Sequence, residues 1–147
     1  MNVVRKSLAG QRWEAVEVLD YKPSGNHFRH ISRQVLFDRP GDIDAQLRYF
    51  AIEADGHSTL ERHGHTHAVV VLSGRGRVLI GERIHSIAPF DLVTVPSGAW
   101  HQFRADQGMA LGFLCLVAAD RDRPQRPGEE ELSRLREIKE VADFIVV

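Results

Sequence analysis

From Ile31 to Val117 the sequence is a series of short apolar segments, each closed by glycine, proline or aspartate after about 8–12 residues. Most helices need longer segments, so this punctuation favours short antiparallel strands in a sandwich or barrel. The strands predicted from it are residues 31–37, 46–53, 68–72, 77–80, 85–88, 92–95, 100–104 and 110–117. The sequence therefore predicts an all-β domain.

Length and composition restrict the function classes. A chain of 147 residues is long enough for one domain with a real core, and its apolar (43%) and charged (27%) fractions are ordinary for a globular protein. The net charge of −1 predicts neither a nucleic-acid partner nor an anionic membrane. No apolar run reaches about 18 residues and no signal-peptide core is visible, so we expect a cytoplasmic protein.

Cys115 is the single cysteine, which excludes an intrachain disulfide. It lies inside the apolar run Leu111–Val117, with no evident base beside it in the sequence. We therefore predict a small buried residue and not a nucleophile.

The chain divides into an N-terminal arm (1–40), a barrel (41–119) and a charged loop followed by a C-terminal helix (120–147). The helix is predicted from acidic residues after Gly128 and an apolar stripe at Leu132, Leu135, Ile138 and Val141. That stripe fits either the protein's own barrel or a second subunit. Because small barrels expose sheet edges, and because the arm, with its apolar residues Trp13, Val16 and Phe28, could cover a partner's sheet or its own, we expect a homodimer.

Three histidines at alternate positions, His63, His65 and His67, follow Glu61. Side chains two apart in a strand share a face, so an extended stretch would present four metal-type ligands in a row. His101 comes 34 residues after His67, behind a Pro-x-Gly turn that would present it across the barrel. Imidazole and carboxylate together suit one divalent Fe, Mn, Ni, Cu, Co or Zn ion. The remaining histidines, His27, His30, His57 and His85, are expected outside the site.

These motifs make residues 46–118 resemble a cupin, the small double-stranded β-helix or jelly-roll barrel. Members of that family carry a first motif in which His-x-His is followed by Glu and, six residues later, Gly, and a second motif Pro-x-Gly-x-x-His. Counting back from Gly74 places His67 in the glutamate slot and Glu61-x-His63 in the His-x-His slot. In the second motif, three residues match in full: Pro96, Gly98 and His101. Two positions depart from the usual residues: Phe90, in Pro-Phe-Asp for Pro-Gly-Asp, and Ala105, where Asn is common.

The resemblance implies a metal bound by Glu61, His63, His67 and His101. The position of His65 depends on the backbone, since an extended strand would point it inward and a bulge would turn it elsewhere. If Glu61 does not ligate, it would move a proton, with His65 as the second choice for that role. Several polar residues lie on strands of the same sheet, and those that face inward would bind a substrate's oxygens: Arg33, Gln34, Arg48, Tyr49 and Gln102.

The resemblance implies a metal-dependent enzyme acting on a small oxygenated molecule, through either a dioxygenase-type cleavage or an isomerase or lyase step. The fold does not choose between these reactions. The alternative is a non-catalytic cupin that binds or senses a small molecule. No DNA-binding segment is visible, which counts against a regulator.

Overall fold

The structure is a computed structural model and describes residues 3–147. Its main element is a curled antiparallel sheet of nine strands. Three two-residue strands belong to the arm: β1 (Ser7–Leu8), β2 (Arg12–Trp13) and β3 (Leu19–Asp20). Eight longer strands follow: β4 (Arg29–Asp38), β5 (Ala45–His57), β6 (His67–Gly74), β7 (Gly76–Ile80), β8 (Arg83–Ile87), β9 (Leu92–Val95), β10 (His101–Ala105) and β11 (Leu111–Ala118). The predicted all-β cupin fold is confirmed.

The long strand β5 organises the sheet, whose order is β8-β7-β10-β5-β11-β6-β9. It pairs with β11 over residues 45–52 along one edge and with β4 over 46–52 along the other. At the C-terminal end of β5, His57 pairs with Arg104 of β10, so this one strand is hydrogen-bonded to three others. β4 thus joins the main sheet although it lies N-terminal to residue 40.

The barrel interior is filled by apolar side chains that alternate along these strands. Its core includes Ile52, Val71, Phe103 and Phe113, with the last two rings stacked at 4.5 Å. Alternation directs neighbouring residues to opposite faces, because the side-chain period of a strand is two. Cys115 belongs to this core, as predicted.

Gly74 closes β6 where the chain turns into β7. It has a φ of +77°, and a Cβ atom there would lie 1.7 Å from the carbonyl oxygen of Ala110. Only glycine fits such a close approach of two backbones. This local requirement fixes Gly74 at the end of β6, so motif positions can be counted back from it.

The arm covers its own barrel. The ring of Trp13 packs edge-to-face on Tyr49 at 5.3 Å, and Gln11 bonds both Gln34 and Tyr49 on the outer face of the sheet. Of the two positions the sequence allowed for the arm, the structure therefore shows the one across its own sheet.

The C-terminal region forms two short helices, α1 (Glu129–Arg136) and α2 (Lys139–Phe144), where one was predicted. Ile138 interrupts them with extended backbone angles. Its side chain packs with Leu60, Leu79 and Val141 in a second apolar cluster between helices and barrel. The apolar stripe thus covers the protein's own body. No described helix is long and apolar enough to cross a membrane.

Candidate metal centre

The two histidine motifs meet because their backbones are hydrogen-bonded. Glu61 and His101 form an antiparallel bridge, with N–H groups donated in both directions at 3.1 and 2.9 Å. The amide of Gly98 donates to the carbonyl oxygen of His63 at 2.8 Å. His67 begins β6, opposite Val95 of β9. Segments 28 to 40 residues apart in sequence are thereby fixed at one end of the barrel.

His63, His67 and His101 form a triad that could bind a metal ion. One ring nitrogen from each lies within 4.8 Å of the others. The Nε2 atom of His63 is buried and has no hydrogen-bond partner among the described residues. A buried imidazole nitrogen without a partner is costly unless something occupies it, so the donor set fits a transition metal.

In two rings of the triad, those of His63 and His101, the other nitrogen is held by a backbone carbonyl group. Nδ1 of His63 lies 2.7 Å from the carbonyl oxygen of His65, and Nδ1 of His101 lies 3.0 Å from that of Ala99. A carbonyl only accepts, so each Nδ1 carries the proton and each Nε2 keeps its lone pair. Neither of these two rings uses a carboxylate for this role; the carboxylate of Asp91, near the second motif, accepts the amide of Ala88 at 2.8 Å instead.

Burial keeps these rings neutral. It lowers the pKa of His63 to about 4, with the neighbouring His101 adding to the effect. Burial likewise lowers the pKa of His101 to about 4, against the opposing hydrogen bond to Ala99. For His67, burial and then His101 lower the pKa further. Neutral imidazole is the metal-binding form, so the triad is ready to coordinate near neutral pH.

His65 does not lie on an extended strand, because the chain bends at Gly64 before β6 begins. Asp122 holds this bend: its carboxylate accepts the amides of Gly64 (2.6 Å) and His65 (3.0 Å) and lies 2.9 Å from Nδ1 of His65. The bend does not remove His65 from the site. Its ring stacks on His63 at 3.7 Å, and its Nε2 lies 3.3 Å from Nε2 of His67.

Glu61 lies beside the triad, with its carboxylate bound to another group. Its Oε2 accepts from Nζ of Lys22 at 2.6 Å. The Glu61 side chain is 8% exposed and that of Lys22 is 24% exposed, so the pair is largely shielded. The structure thus brings three of the four implied ligands together and places Glu61 in an ion pair next to them.

A cavity of about 280 Å³ opens in front of His63, His65 and His67. Tyr21 and Phe50 form its apolar wall, and Lys22 and Glu61 lie beside the histidines. Deeper in the barrel, a narrower space also reaches the thiol of Cys115. Burial raises the pKa of that thiol, with Arg48 acting in the opposite direction, so it is protonated near neutral pH. The lining of the 280 Å³ cavity includes several cationic side chains: Lys22, Arg33, Arg48 and Arg121.

Sequence reasoning missed Lys22 and Asp122. Lys22 lies in a turn, and Asp122 belongs to a loop that was predicted only as charged; each contacts the site across 39 or more positions of sequence. Of the polar strand residues, Arg33 and Arg48 line the cavity. Gln34 and Tyr49 face the arm, and Gln102 binds backbone groups of Ser58 and Val146.

A curled antiparallel barrel with a histidine triad at one end defines a cupin-type protein, and the triad is its candidate metal centre. Comparison with known proteins agrees: the Cupin domain family matches residues 48–117. The chain is also 50% identical over 135 residues to the 1-methylthio-D-xylulose 5-phosphate methylsulfurylase of Rhodospirillum rubrum. This alignment covers 91% of this chain and 86% of that protein. The chain belongs to the cupin family.

Solved structures give the same result. A cupin 2 conserved barrel domain protein from Rhodopseudomonas palustris is 46% identical, with a TM-score of 0.91 over 97% of this chain and 98% of that one. A cupin-2 domain protein from Rhodospirillum rubrum is 48% identical, with a TM-score of 0.86 over 95% and 94%.

Proposed function

We propose that this protein is a metal-dependent enzyme acting on a small oxygenated organic molecule of the ketose type. The observation that carries the proposal is the clustering of three neutral imidazoles next to a shielded carboxylate. The 50% identical relative supports it, because its name gives a methylthio-substituted pentulose phosphate as substrate.

We propose His63, His67 and His101 as ligands of one divalent transition metal ion per chain. Such an ion supplies Lewis acidity to a carbonyl or hydroxyl oxygen. The carbonyl groups of His65 and Ala99 orient the coordinating rings. Either Glu61 or His65 is the fourth metal ligand. The ion pair between Lys22 and Glu61 favours a role for Glu61 other than metal binding.

That role is proton transfer. Glu61 shares a backbone bridge with His101, so its carboxylate lies on the same side of the sheet as the triad. Glu61 is thus suited to take a proton from carbon next to a carbonyl, while Lys22 stabilises the carboxylate before the transfer. His65, bound to Asp122, is the second side chain suited to carry a proton. Tyr21 and Phe50 exclude water from this side of the cavity.

Elemental analysis of protein purified without an affinity tag is the first test, and we expect one transition metal ion per chain. The metal-loaded protein should then consume 1-methylthio-D-xylulose 5-phosphate. Phosphorus NMR would monitor the loss of this compound, in parallel reactions with and without a small thiol. His101→Ala should lose both metal and turnover, and His85→Ala, on an exposed strand, should keep both. Binding of that compound without turnover would indicate the non-catalytic alternative. Oxygen uptake with enol or 2-oxo acids would indicate a dioxygenase.

We also propose a homodimer. The outer face of β11, β6 and β9 is apolar, with Leu116 45% and Leu92 80% exposed. Association through this face would cover both the apolar surface and the sheet edge at β9. Sedimentation should therefore give twice the chain mass of 16.6 kDa, and a single-chain mass at micromolar concentration would contradict the proposal.

A further inference from the structure

Three arginines line the same cavity as His63 and His67. In the sheet register, Arg33 of β4 pairs with Phe50 of β5, and Arg48 lies two residues before Phe50. Directly paired residues and residues two apart share a face, so both arginines point inward with Phe50. Arg121 reaches the same cavity from the segment after β11.

The carboxylates of the cavity are already engaged. Its lining holds four cations, Lys22 and the three arginines, but only two carboxylates, Glu61 and Asp122. Glu61 is paired with Lys22, and Asp122 binds His65 and two backbone amides. Within residues 3–147, none of the three arginines lies within ion-pair distance of a carboxylate.

Arg48 is the clearest case. Its Nε is buried without a hydrogen-bond partner among the described residues, and its Nη2 lies 3.5 Å from the sulfur of Cys115. A shielded guanidinium without an anion is unfavourable, so it indicates a missing partner. Burial, and after it the charge of Arg48, lower the pKa of Arg121, which reflects the same crowding of cations.

Arg121 is also held in place. Its guanidinium donates to the carbonyl oxygens of Ala118 and Ala119 at 3.1 and 3.2 Å and to Oε1 of Gln46 at 3.1 Å. Nε of Arg33 donates to the carbonyl oxygen of Asp20, while its terminal nitrogens donate to no described residue. Because these guanidinium groups are already held in place, they lose little conformational entropy when an anion binds.

We propose that Arg33, Arg48 and Arg121 bind the phosphate group of a small sugar phosphate whose carbonyl end reaches the triad. The inference rests on the proposed function and extends it to a phosphate subsite. Three guanidinium groups around one cavity suit a dianion with three equivalent oxygens better than a single carboxylate. Because the arginines line the same cavity as His63 and His67, one small substrate spans the anion site and the metal centre.

The test uses the chelator-treated full chain, so that neither metal nor turnover contributes. Calorimetry would measure the binding of inorganic phosphate, and of xylulose 5-phosphate against xylulose. Arg33→Gln and Arg121→Gln should each weaken phosphate binding roughly tenfold. Arg123→Gln is the matched control, because Arg123 is exposed in the same loop and does not line the cavity. Arg48→Lys keeps the charge but loses the fork, and should also weaken binding.

Wild-type protein that binds xylulose 5-phosphate no better than xylulose would overturn the subsite. So would variants that bind phosphate as the wild type does, or an equal loss in Arg123→Gln. Failure of the proposed function is recognised separately. A protein that is inactive on the ketose phosphate but binds phosphate through these arginines keeps the subsite and loses the activity.

Discussion

The ammonium nitrogen of Lys22 lies 2.6 Å from Oε2 of Glu61, so a residue of the N-terminal arm holds a carboxylate at the edge of the histidine triad. The pair connects two parts of the chain that are 39 residues apart. The arm is therefore part of the wall of the site as well as a cover for the sheet.

Replacing Lys22 by Met should leave the shielded Glu61 carboxylate without its cation. We expect the free energy of unfolding of the metal-free protein to fall by about 1–3 kcal/mol. Lys22→Arg, which keeps a cation, should recover most of the loss. Chemical denaturation at pH 7 measures both, and equal stability of the Met and Arg variants would show that the pair contributes nothing.

Glu61→Ala and His65→Ala form a matched test of the ligand set. The ion pair with Lys22 leaves Glu61 outside the ligand set, so we expect Glu61→Ala to keep its metal and His65→Ala to lose part of it, whereas the register counted from Gly74 implies the reverse. Metal content after dialysis against a weak chelator decides between them. Loss of metal in His65→Ala with full retention in Glu61→Ala would assign the fourth position to His65, whose Nε2 lies 3.3 Å from that of His67.

Acid should destabilise the metal-free protein over a defined range. The pKa values of His63 and His101 are about 4 in the folded protein, whereas an unfolded histidine titrates near 6.5. Between these values the unfolded chain binds more protons, so the free energy of unfolding falls as pH decreases from about 6.5 to about 4. His63→Asn should flatten this slope, and His85→Asn, at an exposed position, should leave it unchanged. Denaturation across that range measures the slope, and an unchanged slope in His63→Asn would contradict the assignment.

Phe90 adopts a φ of +73°, a left-handed conformation, where the family usually has glycine. Its ring is 79% exposed and gains little from burial. A bulky residue pays about 1–2 kcal/mol for that conformation, while glycine adds some unfolded-state entropy. Phe90→Gly should therefore raise the free energy of unfolding by up to about 1 kcal/mol at fixed protein concentration. Phe90→Ala keeps the strained backbone and should not; a gain in both variants would mean that the ring, not the backbone, is unfavourable.

Much of the barrel was predictable because its signals are local. Alternation and turn residues determine a strand within a few positions, and Gly74 is required by a backbone contact at its own turn. The clustering of His63, His67 and His101 was predictable for the same reason, since motif spacing is tied to strand register.

The remaining features depend on contacts between distant segments. The bend that moves His65 out of an extended row is held by Asp122, 57 positions later in the sequence, and Lys22 reaches Glu61 from a turn. The break between the two C-terminal helices occurs at Ile138, which has no intrinsic tendency to break a helix as proline or glycine does. Packing of its side chain against the second apolar cluster overrides local propensity.

Arg48 and Tyr49 are neighbours on β5, yet one faces the cavity and the other is covered by the arm. A single residue inserted just ahead of them would exchange these destinations, because a shift of one reverses every side chain of a strand. The phenol would then enter the barrel, and the guanidinium would meet Trp13. Substitutions along β5 can be compensated one at a time, but an insertion there would alter the anion site and the docking of the arm in a single step.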